Sequence, residues 1–200
     1  GSEMCIRDRF PGYSYHINAH EFGSSLRDNV PIDRYVEIKS TIKNVEYGEE
    51  GIKSLTLDDG SNISADLYID CSGFKRVLID KLTTFNPYKG LINNAAVWGS
   101  VKTQSYRPST ISIAQKYGWI WETPTWGQIG SGYVFCDDFI SISDAEKYMI
   151  NYWKLKGYDW KPKRSVKFNS GSLDSIAVKN VISNGLGPVS YTHLTLPTSG

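Results

Sequence analysis

The chain has 200 residues, with 22 Lys and Arg against 21 Asp and Glu, for a formal net charge of +1. That balance gives no electrostatic reason to expect nucleic acid or an acidic membrane surface as a partner, and no apolar run reaches the ~18 residues a membrane span requires. Hydrophobic residues at 40% and charged residues at 22% describe an ordinary globular chain, long enough to bury a core without a disulfide or metal.

Residues 13–17 are β-prone. Asn18 caps a helix, with Glu21 three residues later completing a capping box; Ala19, Phe22 and Leu26 share its apolar face, and it ends near Asn29. Residues 35–38 and 41–47 read as strands, a turn follows between Gly48 and Gly51, and residues 52–57 return. Asp58-Asp59-Gly60 is a hairpin signal of the type I′ kind. Alternation of Ile63, Ala65, Leu67 and Ile69 predicts a strand with that set buried, running into Asp70-Cys71-Ser72-Gly73-Phe74, and residues 76–81 form a helical turn.

The second half is a different sheet, with strands over residues 95–102, 110–115, 118–121 and 132–135. Ser143 caps a second helix through Ser-x-x-Glu146, with Ala145, Tyr148, Met149, Tyr152 and Leu155 as its apolar stripe and Gly157 as its stop. Residues 165–168 and 178–182 are the last strands. The expected fold class is mixed α/β, with mixed β-sheets and flanking helices rather than a regular βαβ alternation.

The ends read differently. Residues 1–9 show no period, and residues 188–200 are rich in Ser, Thr and Pro; both resemble peptides translated from adapter DNA at the ends of assembled reads. They are expected to be foreign to the protein, with an ordinary frayed tail as the alternative, which leaves residues 10–187 as the domain. Three unclustered cysteines, Cys5, Cys71 and Cys136, point to a reducing, cytoplasmic compartment.

Two stretches could carry chemistry. A buried strand that runs into Ser72 and Gly73 offers backbone to a phosphate or dinucleotide, although a tight strand-to-helix turn needs the same glycine. In Gly118-Trp119-Ile120-Trp121-Glu122-Thr123-Pro124, strand alternation puts Trp119 and Trp121 on one side as a wide rigid wall, and Pro124 ends the strand. Two core tryptophans explain the same pattern. His16 and His20 lack a third ligand at fitting spacing, so no metal is expected. The acidic pairs at residues 49–50, 58–59 and 137–138 read as solvated turns.

Taken together, residues 15–22, 66–74, 118–124, 130–135 and 179–186 closely resemble, in one order, the flavin-dependent tryptophan halogenases. The family's Trp-x-Trp-x-Ile-Pro is present with Thr123 in place of Ile. The resemblance implies an incomplete FAD-dependent monooxygenase-like fold. It implies reduced FAD supplied by a separate flavin reductase, oxygen, a halide, and halogenation of tryptophan or a similar electron-rich aromatic. It makes Ile42 and Leu186 flavin contacts, with Ser72 and Gly73 added by the strand-end argument. Trp119, Trp121 and Pro124 become the wall between flavin and substrate. It also implies that the phosphate loop, catalytic lysine and catalytic glutamate lie outside residues 10–187. This chain alone is therefore expected to be inactive and marginally stable, with no catalytic residue assigned. A related FAD-dependent hydroxylase and a non-enzymatic aromatic-rich binding module are the alternatives; the last requires open, solvated indoles.

Overall fold

The computed structural model describes residues 15–104 and 107–187, and the backbone of residues 189–190. The expectation for residues 1–9 lies outside the described residues. Of the tail at 188–200 only residues 189–190 lie within them.

Helix α1 (Ala19–Asn29) starts where the capping signal places it, the Asn18 side chain accepting from the backbone N–H groups of His20 and Glu21. Its apolar face, however, is uncovered: no α1 residue is buried, and Phe22 and Leu26 are about half exposed. Residues 35–41 form no strand, contrary to expectation for 35–38, because no described strand pairs with them. Strands β1 (Ile42–Gly48), β2 (Gly51–Leu57) and β3 (Asn62–Ile63) form an antiparallel meander. The Asp58-Asp59-Gly60 connection differs from type I′. Only Gly60 has a positive φ (84°), its N–H donates to Leu57 O at 3.1 Å, and Leu57 N–H donates to Ser61 O. This is a three-residue loop whose left-handed glycine makes a bulge.

The expected long strand over residues 63–69 breaks, and its burial phase is inverted. Only β4 (Tyr68–Asp70) pairs beyond Ile63; Tyr68 and Asp70 are buried, while Leu67 and Ile69 are exposed. The reason is what the opposite parity supplies. Tyr68 fills the core while its hydroxyl accepts from Ala65 N–H, and Asp70 finds four donors, described below. β5 (Phe85–Pro87) follows the turn region, in which Asp80 N–H donates to Arg76 O as the expected helical turn requires.

The second half is built on a five-stranded antiparallel sheet. β6 (Ala95–Lys102), β7 (Ile111–Gln115), β8 (Gly118–Thr125) and β9 (Gln128–Phe135) are joined by an edge strand, β10 (Lys161–Lys167), in the order β10-β6-β9-β8-β7. β8 runs through Pro124 instead of stopping there. Beyond Glu122 it has no β7 partner, so a residue without an N–H is tolerated on that edge. Helix α2 (Ile142–Leu155) covers one face. Its cap is Ser141 rather than Ser143, because Ser141 and Asp144 bond reciprocally. The buried stripe is Ala145, Met149 and Trp153, whereas Tyr148 and Leu155 face solvent. Gly157 does end the helix: its N–H bonds Lys154 O, and that of Tyr158 bonds Trp153 O. Val97, Ile120, Tyr133, Phe135, Met149, Trp153 and Trp160 form this core.

A smaller core holds Ile52, Leu55, Tyr68, Leu78, Ile79, Leu173 and Val181. Around it lie β11 (Gly171–Leu173), β12 (Ala177–Val178), β13 (Val181–Ser183) and β14 (Val189–Ser190). The single strand expected at 178–182 is two, with left-handed Lys179 (φ 55°) in the turn between them. β13 runs parallel to β4 and antiparallel to β12, so this sheet is mixed in direction while the other described sheets are antiparallel, and with helices α1 and α2 beside them the mixed α/β class stands. Among the described residues no helix is long and apolar enough to cross a membrane.

Candidate functional site

Strand β8 has two unlike faces. Trp119 and Trp121 project together from the outer one, their ring centroids 6.0 Å apart and tilted by 55°. Their cross-strand neighbours are small. Trp119 lies between Ala114 and Val134, and Trp121 between Ser112 and Gly132. Gly132 is indispensable to this arrangement, since a Cβ there would lie 2.1 Å from Cη2 of Trp121 and 2.5 Å from Val97 O. The indoles are half-buried, and the N–H of Trp119 is enclosed without an acceptor. Pro124 is buried on the opposite parity of the strand, with Ile120 and Glu122. It therefore contributes no side chain to the face that carries Trp119 and Trp121. Its carbonyl instead takes a hydrogen bond from His16 Nδ1 at 2.7 Å, and His16 Nε2 lies 3.2 Å from Thr110 Oγ1. His16 thus ties the segment before α1 to the end of β8. Among the described residues no three potential metal ligands cluster.

The inner face of β8 carries a buried acid. Glu122 is 2% exposed and accepts from Arg107 Nη2 and the Tyr152 hydroxyl, each at 2.6 Å, and from Lys156 Nζ. Burial alone would raise its pKa, but the bonds from Lys156, Tyr152 and Arg107 outweigh this and hold the carboxyl below its ordinary value. Burial, then Glu122, push the Tyr152 phenol up. One residue away, Ser131 Oγ donates to Trp121 O at 2.7 Å and accepts from Trp153 Nε1 at 3.2 Å. The last turns of α2 therefore clamp β8 from beneath the indoles.

A cavity of about 530 Å³ lies beside this sheet, lined by Ser72, Gly73, Lys75, Trp98, Arg164 and Leu186 among others. Three of the four expected cofactor contacts, Ser72, Gly73 and Leu186, thus come together. The fourth, Ile42, lines a separate cavity of about 280 Å³ that also has Lys75 in its wall. The loop is set by Asp70, 2% exposed, whose carboxylate accepts from Ser72 N–H, Ser72 Oγ, Leu78 N–H and Ile79 N–H at 2.5–3.0 Å. Burial opposes its charge, yet these bonds hold its pKa below the usual carboxylate value. Ser72 Oγ also accepts from Val77 N–H, so its hydroxyl is spent on building the turn.

The parallel strands β4 and β13 end side by side at this cavity, in loops where Gly73 (φ 64°) and Gly185 (φ 75°) are left-handed and a Cβ on either would meet open space. Bare backbone at adjacent parallel strand ends, with Lys75 and Arg164 in the same wall, suits an anionic dinucleotide with a planar ring.

Sequence reasoning missed Glu122, Asp70 and Trp98. Nothing near Glu122 in the sequence marks it, since its partners lie 15, 30 and 34 residues away. For Asp70 a signal existed: an acid just before Ser-Gly at a strand end can cap the following turn. Asp137, taken as solvated, is half-buried and bonded to Asn94 and Lys167.

A mixed fold with a strand-end cavity beside a paired-indole sheet defines the class of molecule. The sequence model of the family described as tryptophan halogenase matches residues 8–191, and the chain belongs to that family. The 7-chloro-L-tryptophan 6-halogenase KtzR of Kutzneria sp. is 31% identical over 160 residues, which cover 76% of this chain and 31% of that protein. The tryptophan 7-halogenase RebH of Lentzea aerocolonigenes is 30% identical, covering 86% and 34%. The solved structure of BrvH, a flavin-dependent halogenase from Brevundimonas sp. BAL3, superposes with a TM-score of 0.72 at 27% identity, covering 86% of this chain and 36% of that one. The chain spans about a third of the length of the curated relatives it matches.

Proposed function

We propose that this chain is the part of a flavin-dependent halogenase that holds one flank of FAD and divides it from an aromatic substrate, tryptophan or a similar electron-rich ring. Bound FAD, delivered in reduced form by a separate flavin reductase, supplies the oxygen chemistry that oxidises halide. The chain's own residues do the rest. Gly73 and the 183–187 loop present backbone to the cofactor, Leu186 covers its edge, and Ser72 holds the turn that Asp70 builds. Ile42 contacts the far end of the same cofactor, from a separate cavity that shares Lys75 in its wall. Trp119 and Trp121 form the partition, and the clamp beneath β8 keeps it rigid.

The observation that carries this reading is the shared sheet face. The row Trp98, Gly132, Trp121 runs directly from the cavity wall to the indole pair. The half-buried rings also suit a partition better than the open platform a carbohydrate-binding module needs. The test is to express the open reading frame that carries this chain with a flavin reductase, oxygen, bromide and L-tryptophan, and to weigh the product. Bromotryptophan is expected. Hydroxytryptophan alone would favour the hydroxylase, and an unmodified substrate would contradict both. Residues 10–187 alone are expected to give no product, because no residue in them is assigned as the catalytic acid or lysine.

A further inference from the structure

The cavity that holds Ser72, Gly73 and Leu186 has an aromatic wall that neither the family motif nor the sequence reading assigns. Trp98, on β6, lines it and is 38% exposed, which leaves much of a large planar ring available. Its neighbour across the sheet is Gly132, and the neighbour of Gly132 on the far side is Trp121. Because Gly132 has no side chain, the benzo edge of Trp121 lies over it, within 2.1 Å of where a Cβ would stand. Three indoles, Trp98, Trp121 and Trp119, therefore occupy one face with only a glycine between the first two. On the other flank Trp98 pairs with Arg164, which lines the same cavity, and the Lys163 ammonium lies 5.9 Å from the Trp98 ring. The position thus combines a π-face with cationic surroundings, the combination that takes a planar heteroaromatic ring bearing phosphates.

We propose that Trp98 is a cofactor-contact residue that stacks on a ring of the flavin dinucleotide, and that Gly132 is the notch through which this contact reaches the Trp121 side of the partition. The inference rests on the assignment of the cavity to FAD. It adds to the wall a third indole, on the cofactor side, whose contact is stacking rather than hydrogen bonding.

The test is an FAD titration of the full-length protein that carries this chain, labelled with 5-fluorotryptophan and followed by fluorine NMR, with the Trp98, Trp121 and Trp126 resonances assigned by single Trp→Phe variants. The Trp98 signal is expected to shift saturably and the Trp121 signal to follow it. The signal of Trp126, 91% exposed in the β8–β9 turn, is expected to stay still. W98A is expected to weaken FAD binding about three- to tenfold, and W98F, which keeps a stacking ring, to restore most of it. FAD binding of unchanged strength in W98A, or a Trp98 resonance that stays fixed while others move, overturns the role of Trp98 and leaves the cavity assignment standing. No saturable shift at any resonance overturns the cavity assignment and this inference with it. Thermal melts of W98A and W98F, expected to match the parent, separate lost contact from lost fold.

Discussion

The two faces of the five-stranded sheet solve opposite problems with the same side chain. Against the inner face, Trp153 of α2 and Trp160, just before β10, are fully buried and each indole N–H has an acceptor, Ser131 Oγ and Ser131 O respectively. On the outer face Trp98, Trp119 and Trp121 stay partly exposed, and the N–H of Trp119 finds no acceptor. A buried indole that serves stability is satisfied; one kept at a surface with small neighbours and an orphan donor is held there at some cost. The comparison separates tryptophans that build the fold from tryptophans that the fold presents.

The sharpest way to break that contrast is substitution on each face. W153A removes a fully buried indole and is expected to cost about 3–5 kcal/mol, read as a large fall in the denaturation midpoint. G132A comes next. Its Cβ would press on both Trp121 and Val97 O, so an overpacking cost of about 1–3 kcal/mol is expected, whereas G130A, whose Cβ would find only Thr123 O at 3.7 Å, should be far milder. Equal costs at the two glycines would contradict the seating of Trp121.

E122Q keeps the shape of the clamp and removes its charge. The loss is expected at about 2 kcal/mol at neutral pH, moderated because Arg107 and Lys156 are partly exposed and can turn to water. The sign with pH follows from the direction of the shift. The folded pKa of Glu122 lies below its unfolded value, so its stabilisation is complete above the unfolded carboxylate range and is lost as pH falls through the folded pKa. The difference between parent and E122Q should therefore shrink as the pH drops below about 4, and a difference that grows on acidification would contradict the clamp. The smallest effect is expected in α1. L26S should change stability by no more than about 0.5 kcal/mol in denaturation of this chain, because no α1 residue is buried.

What could be read from the sequence was local. The Asn18 cap depends on neighbours two and three residues away, and the common side of Trp119 and Trp121 follows from strand alternation alone. Where the reading failed, competing local signals or distant partners decided. Ser143 carried the Ser-x-x-Glu signal, but reciprocal bonding with Asp144 puts the cap at Ser141. Leu67 and Ile69 alternated convincingly, but Tyr68 and Asp70 had the better partners, among them Leu78 and Ile79 in the following turn. Ser72, Gly73 and Leu186 were marked separately; that they line one cavity depends on the parallel pairing of β4 with β13, strands more than a hundred residues apart. Trp98 entered that wall through pairing with β9 and β10, which no window around residue 98 contains.

The proposed division of two chambers by Trp119 and Trp121 is tested most directly by equilibrium dialysis of the full-length protein that carries this chain against FAD and L-tryptophan, singly and together. Each ligand is expected to bind in the presence of saturating concentrations of the other, with little change in either affinity. Mutual displacement would place both ligands on the same side of the indoles and contradict the partition.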